Sequence, residues 1–341
     1  MTVQPELLWP NIFGYGRKVG VFVVDADVLA RARFGTSRLV DTTAGLSILR
    51  RADVLPWHRV WRDAHHAAWS ARLADDPVAA ALVGHAYGQS WVADFLTVPP
   101  AAPDLPLDFE LEHLESLSDA QVRADLAFVR EPLPPEASAS GLAAVMAELL
   151  RWVWDTTIRP EWPRRRRVLQ ADVVARTARL SHEGWSGVLR DLAPGVRWLG
   201  DGRLQVNTGR FPPRDIRGAD LLFFAAHSRG GSVQWRLPDR YALVYPVSGA
   251  AALGPTAVPE ALARLLGPTR ARVLLLSQKP VSTTALTALT GLPLGSVGGH
   301  LHVLLDAGLL ERRRAGRQVL YWCSDTGTAL LTASTARGDD V

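Results

Sequence analysis

The sequence predicts an α+β protein: a mainly helical N-terminal domain with a small β element, followed by a C-terminal winged helix-turn-helix. The segment from Leu262 to Trp322 reads helix, helix, turn, helix and then an arginine-rich pair of strands. Upstream, long stretches keep the apolar spacing of helices, and from Val196 to Val247 short β-branched and aromatic runs alternate with turn residues. At 341 residues the chain exceeds what one core usually serves, about 250–300. The expected units are a helical domain over 1–195, a β-rich element packed on it over 196–250, a linker over 251–261 and the C-terminal unit over 262–335.

In order, Val19–Val24 reads as a strand ended by Asp25-Ala26-Asp27. A helix follows over Pro56–Ala74, its proline early and its end before Pro77. Trp57, Trp61, His65 and Trp69 lie four apart on one face of it, as a core or domain-contact stripe or as the wall of an apolar effector pocket. Further helices are expected over Val78–Phe95, Ser118–Arg130, Gly141–Thr157 and Trp162–Leu192. Arg164 to Arg167 read as a solvated helix start, with a second phosphate-contacting patch as the other reading. Asp201-Gly202 joins Val196–Leu199 and Arg203–Val206 as a hairpin, and strands follow at Leu221–Ala226, Val233–Leu237 and Tyr241–Val247. Ser248–Pro259 has linker composition.

In the C-terminal unit, Pro268 opens a helix through Leu276 that stops before Lys279-Pro280. Ser282 is an N-cap for a helix over Thr283–Leu289, and Thr290-Gly291-Leu292-Pro293 is the turn. The next helix spans Leu294–Ala307, with Val297, Leu301, Leu304 and Leu305 inward, Gly295, Ser296, Gly299, His300 and His302 outward, and Gly308 as its stop. Leu309–Trp322 then reads as two strands joined at Ala315-Gly316, with Arg312, Arg313, Arg314 and Arg317 around the tip.

These residues resemble the ArsR family of bacterial transcriptional regulators, in particular actinobacterial members with a long uncharacterised N-terminal domain. The resemblance rests on Ser282-Thr283-Thr284, on Val297, His300-Leu301 and Val303-Leu304, on Asp306-Ala307-Gly308-Leu309, and on Gly316-Arg317 with Tyr321. It covers the last quarter of the chain. A looser likeness lies in Ala93–Pro100 and Tyr241–Pro246. It implies a homodimeric repressor reading a palindromic operator in double-stranded DNA. Thr283 and Thr284 would lie near phosphates, Ser296, Gly299, His300 and His302 near bases, and Arg312, Arg313, Arg314 and Arg317 on backbone or minor groove. The chain departs from the family at Gly298 and Gly299, where longer polar residues are usual, and the Ser282–Leu289 helix lacks the cysteines of thiolate metal sensing.

Charge placement agrees with a nucleic-acid partner. The chain is +4 overall, whereas Arg264–Trp322 carries eight basic residues against two acids, a net of +6. Only Lys18 and Lys279 are lysines, so an arginine-rich composition accounts for part of the basic texture. The single cysteine, Cys323, excludes an internal disulfide. With no leader-like N-terminus and no run near the roughly 18 apolar residues of a membrane span, the expectation is a cytoplasmic protein without a membrane partner. No Walker loop, nucleophile elbow or HExxH is present, and His65 and His66 point about 100° apart on a helix, so no enzyme, cofactor or metal is expected. An unidentified small-molecule effector is left open. The other function class is a protein-interaction adaptor using the winged helix with weak or no DNA recognition.

Overall fold

A computed structural model describes residues 19–54, 56–88, 91–209, 211–247, 258–278, 281–315 and 318–336. The fold is α+β, and the helices start where the chemistry of their first turns dictates. Asp25 accepts the Val28 N–H at 2.8 Å ahead of α1 (Ala26–Arg31), and Ser37 accepts the Val40 N–H at 3.0 Å ahead of α2 (Arg38–Leu49). Next come α3 (Pro56–Ala74), α4 (Pro77–Ala86), α5 (Leu107–Glu115) and α6 (Asp119–Val129), the last opened by a Ser118–Gln121 capping box. Asp119 then takes the N–H groups of Gly141 and Leu142, at 3.0 and 2.8 Å, at the start of α7 (Leu142–Val153). A π turn and a 3₁₀ turn lead into α8 (Trp162–Leu189), which is broken at Gly184, φ +64°.

The helix expected over Val78–Phe95 is shorter. Tyr87 turns extended, where the Arg50 guanidinium sits 4.3 Å from its ring centre, and Ala93 N–H returns to the Ala86 carbonyl at 2.8 Å. A single 3₁₀ turn at Asp94–Leu96 ends the stretch.

The strands form two four-stranded sheets in this part of the chain. β1 (Val21–Val23) lies between β4 (Arg203–Gln205) and β5 (Arg214–Asp215), and β3 (Arg197–Gly200) pairs with β4. Asp201 and Gly202, both at positive φ, make the predicted hairpin turn. The second sheet runs β2 (Arg33–Gly35), β6 (Asp220–Ala226), β8 (Arg240–Pro246), β7 (Ser232–Arg236), with β2, β6 and β8 parallel. β6 is the uninterrupted apolar run of a strand covered on both faces: Leu222 and Phe224 pack with Val40 of α2, while Phe223 stacks with Phe34 and Trp185.

The helical stretch up to 195 and the β-rich element over 196–250 share one core. One buried cluster runs from Val19 to Val247, because the ladders of β4 and β6 are completed by β1 and β2 from the start of the chain. The three-residue β2 carries no alternation that sequence could reveal. Most of the expected linker, 248–257, lies outside the described residues.

The C-terminal part has its own core, built on Leu262, Leu274, Leu286, Val297, Leu301 and Leu331. Its order is α9 (Glu260–Leu266), α10 (Pro268–Leu276), β9 (Val281–Ser282), α11 (Thr283–Thr290), α12 (Leu294–Asp306), β10 (Leu310–Ala315), β11 (Gln318–Cys323) and α13 (Asp325–Ala336). β11 lies between β10 and β9. The tail after Cys323 forms α13 and buries Leu331; Gly327 there has no room for a Cβ, which would fall 2.1 Å from the Leu309 carbonyl oxygen. No helix among the described residues is long and apolar enough to cross a membrane.

A buried ionic centre ties the large core together. Asp41 of α2 is fully buried and accepts Arg165 Nε of α8 at 2.7 Å, the His227 N–H at 2.9 Å and His227 Nδ1 at 3.2 Å. Burial alone would raise the Asp41 pKa; the Arg165 guanidinium and His227 outweigh it and hold the carboxyl well below its usual range. Replacing Asp41 with Asn leaves the Arg165 charge buried without its counterion, at a cost of about 3–5 kcal/mol. In urea unfolding, Asp41→Asn should therefore lose more stability than the charge-free pair Asp41→Leu/Arg165→Met; a single variant no worse than the double would remove the ion pair from this role.

Two other buried groups give stability opposite pH slopes. Burial pushes His58 down to about 4, so the unfolded chain binds its proton first and stability falls as pH drops from about 6.5 to 4. Burial pushes Glu110 up to about 7, so stability falls as pH rises from about 4.5 to 7. Melting temperature against pH should accordingly become less positive in slope for His58→Gln and more positive for Glu110→Gln. Slopes changing in the same direction would contradict the assignment.

Candidate nucleic-acid interface

The C-terminal unit is organised by short-range signals. Ser282 Oγ accepts the Ala285 N–H at 3.2 Å and so caps α11. Gly291, at φ +73°, ends α11 in the left-handed conformation that glycine adopts without a Cβ penalty, its N–H bonding the Thr287 carbonyl at 3.0 Å. Pro293 stands just ahead of α12, its carbonyl accepting the Val297 N–H at 3.1 Å. Val297, Leu301 and Leu304 are buried, as the spacing predicted. Gly308, at φ +67°, closes α12 with paired bonds, Gly308 N–H to Leu305 and Leu309 N–H to Leu304, both 2.9 Å.

The opposite face of α12 is bare. Gly295, Ser296, Gly298, Gly299 and His302 are exposed, and His302 Nε2 lies 3.3 Å from Asp306. His300, expected outward, is only half-exposed, because it flanks the buried Leu301 and Leu304 stripe. A Cβ added at Gly295, Gly298 or Gly299 would meet nothing within 4 Å. Among the described residues nothing therefore requires glycine at these positions, although each lowers helix stability by up to about 1 kcal/mol relative to alanine.

Beside α12 stands the β10–β11 hairpin. Arg312 pairs across with Tyr321, Arg313 with Leu320 and Arg314 with Val319, so successive arginines alternate between its faces, and all three are exposed. Glu311 is engaged on the same strand by the Trp322 indole N–H, at 3.0 Å. Arg317 lies outside the described residues. Thr283 is half-buried; Thr284 is exposed and faces α8 across an open cleft of about 200 Å³.

The aromatic stripe of α3 divides. Trp69 is buried against Trp152, ring centres 6.3 Å apart, and belongs to the core. Trp61 lies under the Arg165 guanidinium at 5.3 Å, and His65 sits 5.1 Å from Trp61 and 4.0 Å from Glu161. The Trp57 side chain falls outside the described set. The Asp41–Arg165–His227 centre was not foreseen. Its one sequence signal is Arg165 standing three residues after Trp162 and four before Leu169, inside an apolar stripe. Cys323 donates its thiol to the Leu274 carbonyl at 3.3 Å, and burial pushes its pKa up to about 11. Among the described residues no group of three His, Cys, Asp or Glu side chains is arranged to hold a metal ion.

No protein-family model, no curated protein and no solved structure matches the chain.

Open space at the glycines makes a stability prediction. Gly298→Ala and Gly299→Ala should each stabilise the C-terminal unit by about 0.5–1 kcal/mol in thermal or chemical unfolding. Destabilisation by either would mean that α12 packs against something its own chain does not supply.

Proposed function

We propose that the C-terminal unit is a winged helix-turn-helix and that the protein belongs to the class of DNA-binding transcriptional regulators. More particularly, it acts as an ArsR-like repressor that reads a palindromic operator as a homodimer, while the large domain senses a signal or mediates assembly. The carrying observation is the solvent-open, small-residue face of α12 flanked by three exposed hairpin arginines. α12 enters the major groove, with Ser296, Gly299 and His302 toward the bases and His300 at the edge of the contact. Arg312, Arg313, Arg314 and Arg317 hold phosphates or the adjoining minor groove, and Thr283 and Thr284 stand near the backbone. With glycine at 298 and 299, two positions offer no side chain to a base edge, which shifts sequence reading toward close backbone approach and DNA shape.

The adaptor reading draws support from Leu294 and Val303, which are 59% and 44% exposed on α12. The same apolar side chains suit thymine methyl groups in a major groove, and the arginine hairpin favours DNA.

Binding of the purified protein to the DNA upstream of its own gene, against a scrambled duplex across a salt series, separates the two readings. Selective, salt-dependent binding is expected, and Arg313→Ala or Arg314→Ala should each flatten the log–log salt slope by about one unit. Equal, weak binding to both duplexes would defeat operator recognition and leave the adaptor.

A further inference from the structure

Resting on that DNA-binding reading, we infer that the large domain adds its own backbone contact: Arg167 of α8, at the cleft against the first turn of α11, takes a DNA phosphate. The four-arginine run that opens α8 is divided by the fold. Arg165 is bound to Asp41 at 2.7 Å, and Arg166 reaches Asp104 at 3.4 Å. Arg167 is exposed and has no hydrogen bond or ion pair within the described residues. Arg164, half-buried beside it, has its pKa lowered by burial; Glu161 opposes the shift, and Arg272, Arg165 and Arg167 add to it. Glu161 also stands 4.0 Å from His65. The junction of α8 with α10 and α11 thus gathers Arg164, Arg167 and Arg272 with one acid among them, an excess of positive charge that a polyanion relieves.

The cleft is an open, mainly apolar trough of about 200 Å³, formed by Ala171, Val174, Ala175 and Ala285, with Arg167, Gln170, Ser282 and Thr284 supplying the polar groups at which a passing backbone could be held. Thr284 is one of the residues assigned to phosphate contact on the C-terminal unit, so Arg167 stands next to the expected path of the strand. The placement is fixed by packing, since Leu289 of α11 lies against both the large core and the C-terminal core. Duplex already held by α12 and the hairpin presents its phosphates there at high effective concentration, which a free anion lacks.

The test is fluorescence anisotropy of the full chain on the duplex upstream of its own gene, across a salt series. Arg167→Ala should flatten the log–log slope by about one unit, and Arg167→Glu should weaken binding further. Arg190→Ala, an exposed arginine at the far end of α8, should leave the slope unchanged, and the exposed position of Arg167 predicts unaltered melting. If the wild type binds and Arg313→Ala flattens the slope while both Arg167 variants do not, this inference fails and the DNA reading stands. If the wild type shows no salt-dependent binding to any duplex, the DNA reading fails and this inference with it. Inorganic phosphate is the third arm: a rise in melting temperature that Arg167→Ala abolishes, with no change in DNA slope, would assign the cleft to a free anion and overturn the DNA contact.

Discussion

The large domain depends on one buried carboxylate. Asp41 gathers α2, the end of β6 and α8 into a single hydrogen-bonded centre, with Arg165 on one oxygen and His227 on the other. Taking these charges out of water is costly, and their attraction roughly offsets that cost when the geometry is good. Arg165 Nη2 is buried without a hydrogen-bond partner among the described residues, so the guanidinium is only partly compensated and the carboxylate is its one counterion there. A second anchor acts further along the helix, where the Arg176 guanidinium lies 4.7 Å from the Tyr245 ring centre on β8 and Nε bonds Asp172 at 2.9 Å. Held at both places, α8 is a fixed strut.

The C-terminal unit is held differently, by local devices. Ser282, Gly291 and Gly308 each stop or start a helix with bonds to residues three to five away, and an apolar stripe on α12 does the rest. This explains what could be read from the sequence. Caps, αL glycines and helical spacing are properties of short windows, so α11, α12 and the hairpin were legible nearly to the residue. The Asp201-Gly202 hairpin was legible for the same reason. In the large domain the helices over Pro56–Ala74, Asp119–Val129 and Trp162–Leu189 and the strands around Leu221 and Tyr241 were legible too, but their arrangement was not, because it comes from pairings across the chain. β2 and β6 lie almost two hundred positions apart in sequence, as do Asp41 and His227, and nothing local marks either partner.

The arginines at 164–167 show the limit at a single site. As a run they read as one solvated surface, yet helix geometry sends consecutive side chains about 100° apart, so neighbours meet different surroundings. Arg165 turns into the core, Arg166 toward Asp104, and Arg164 and Arg167 toward the C-terminal unit. Counting charge in a window sums these roles. The aromatic stripe of α3 behaves similarly: its spacing was correct, but Trp69 and Trp61 serve a core and an ionic centre respectively.

α8 therefore faces two ways within two residues. Arg165 reports the state of the Asp41 centre, and Arg167 borders the turn of α11 that leads toward the proposed DNA surface. At a helical rise of about 1.5 Å per residue the two backbone positions lie only some 3 Å apart along the axis, while their side chains meet different surroundings. In this arrangement the large domain and the C-terminal unit meet along α8, and Leu289 of α11 packs against both cores.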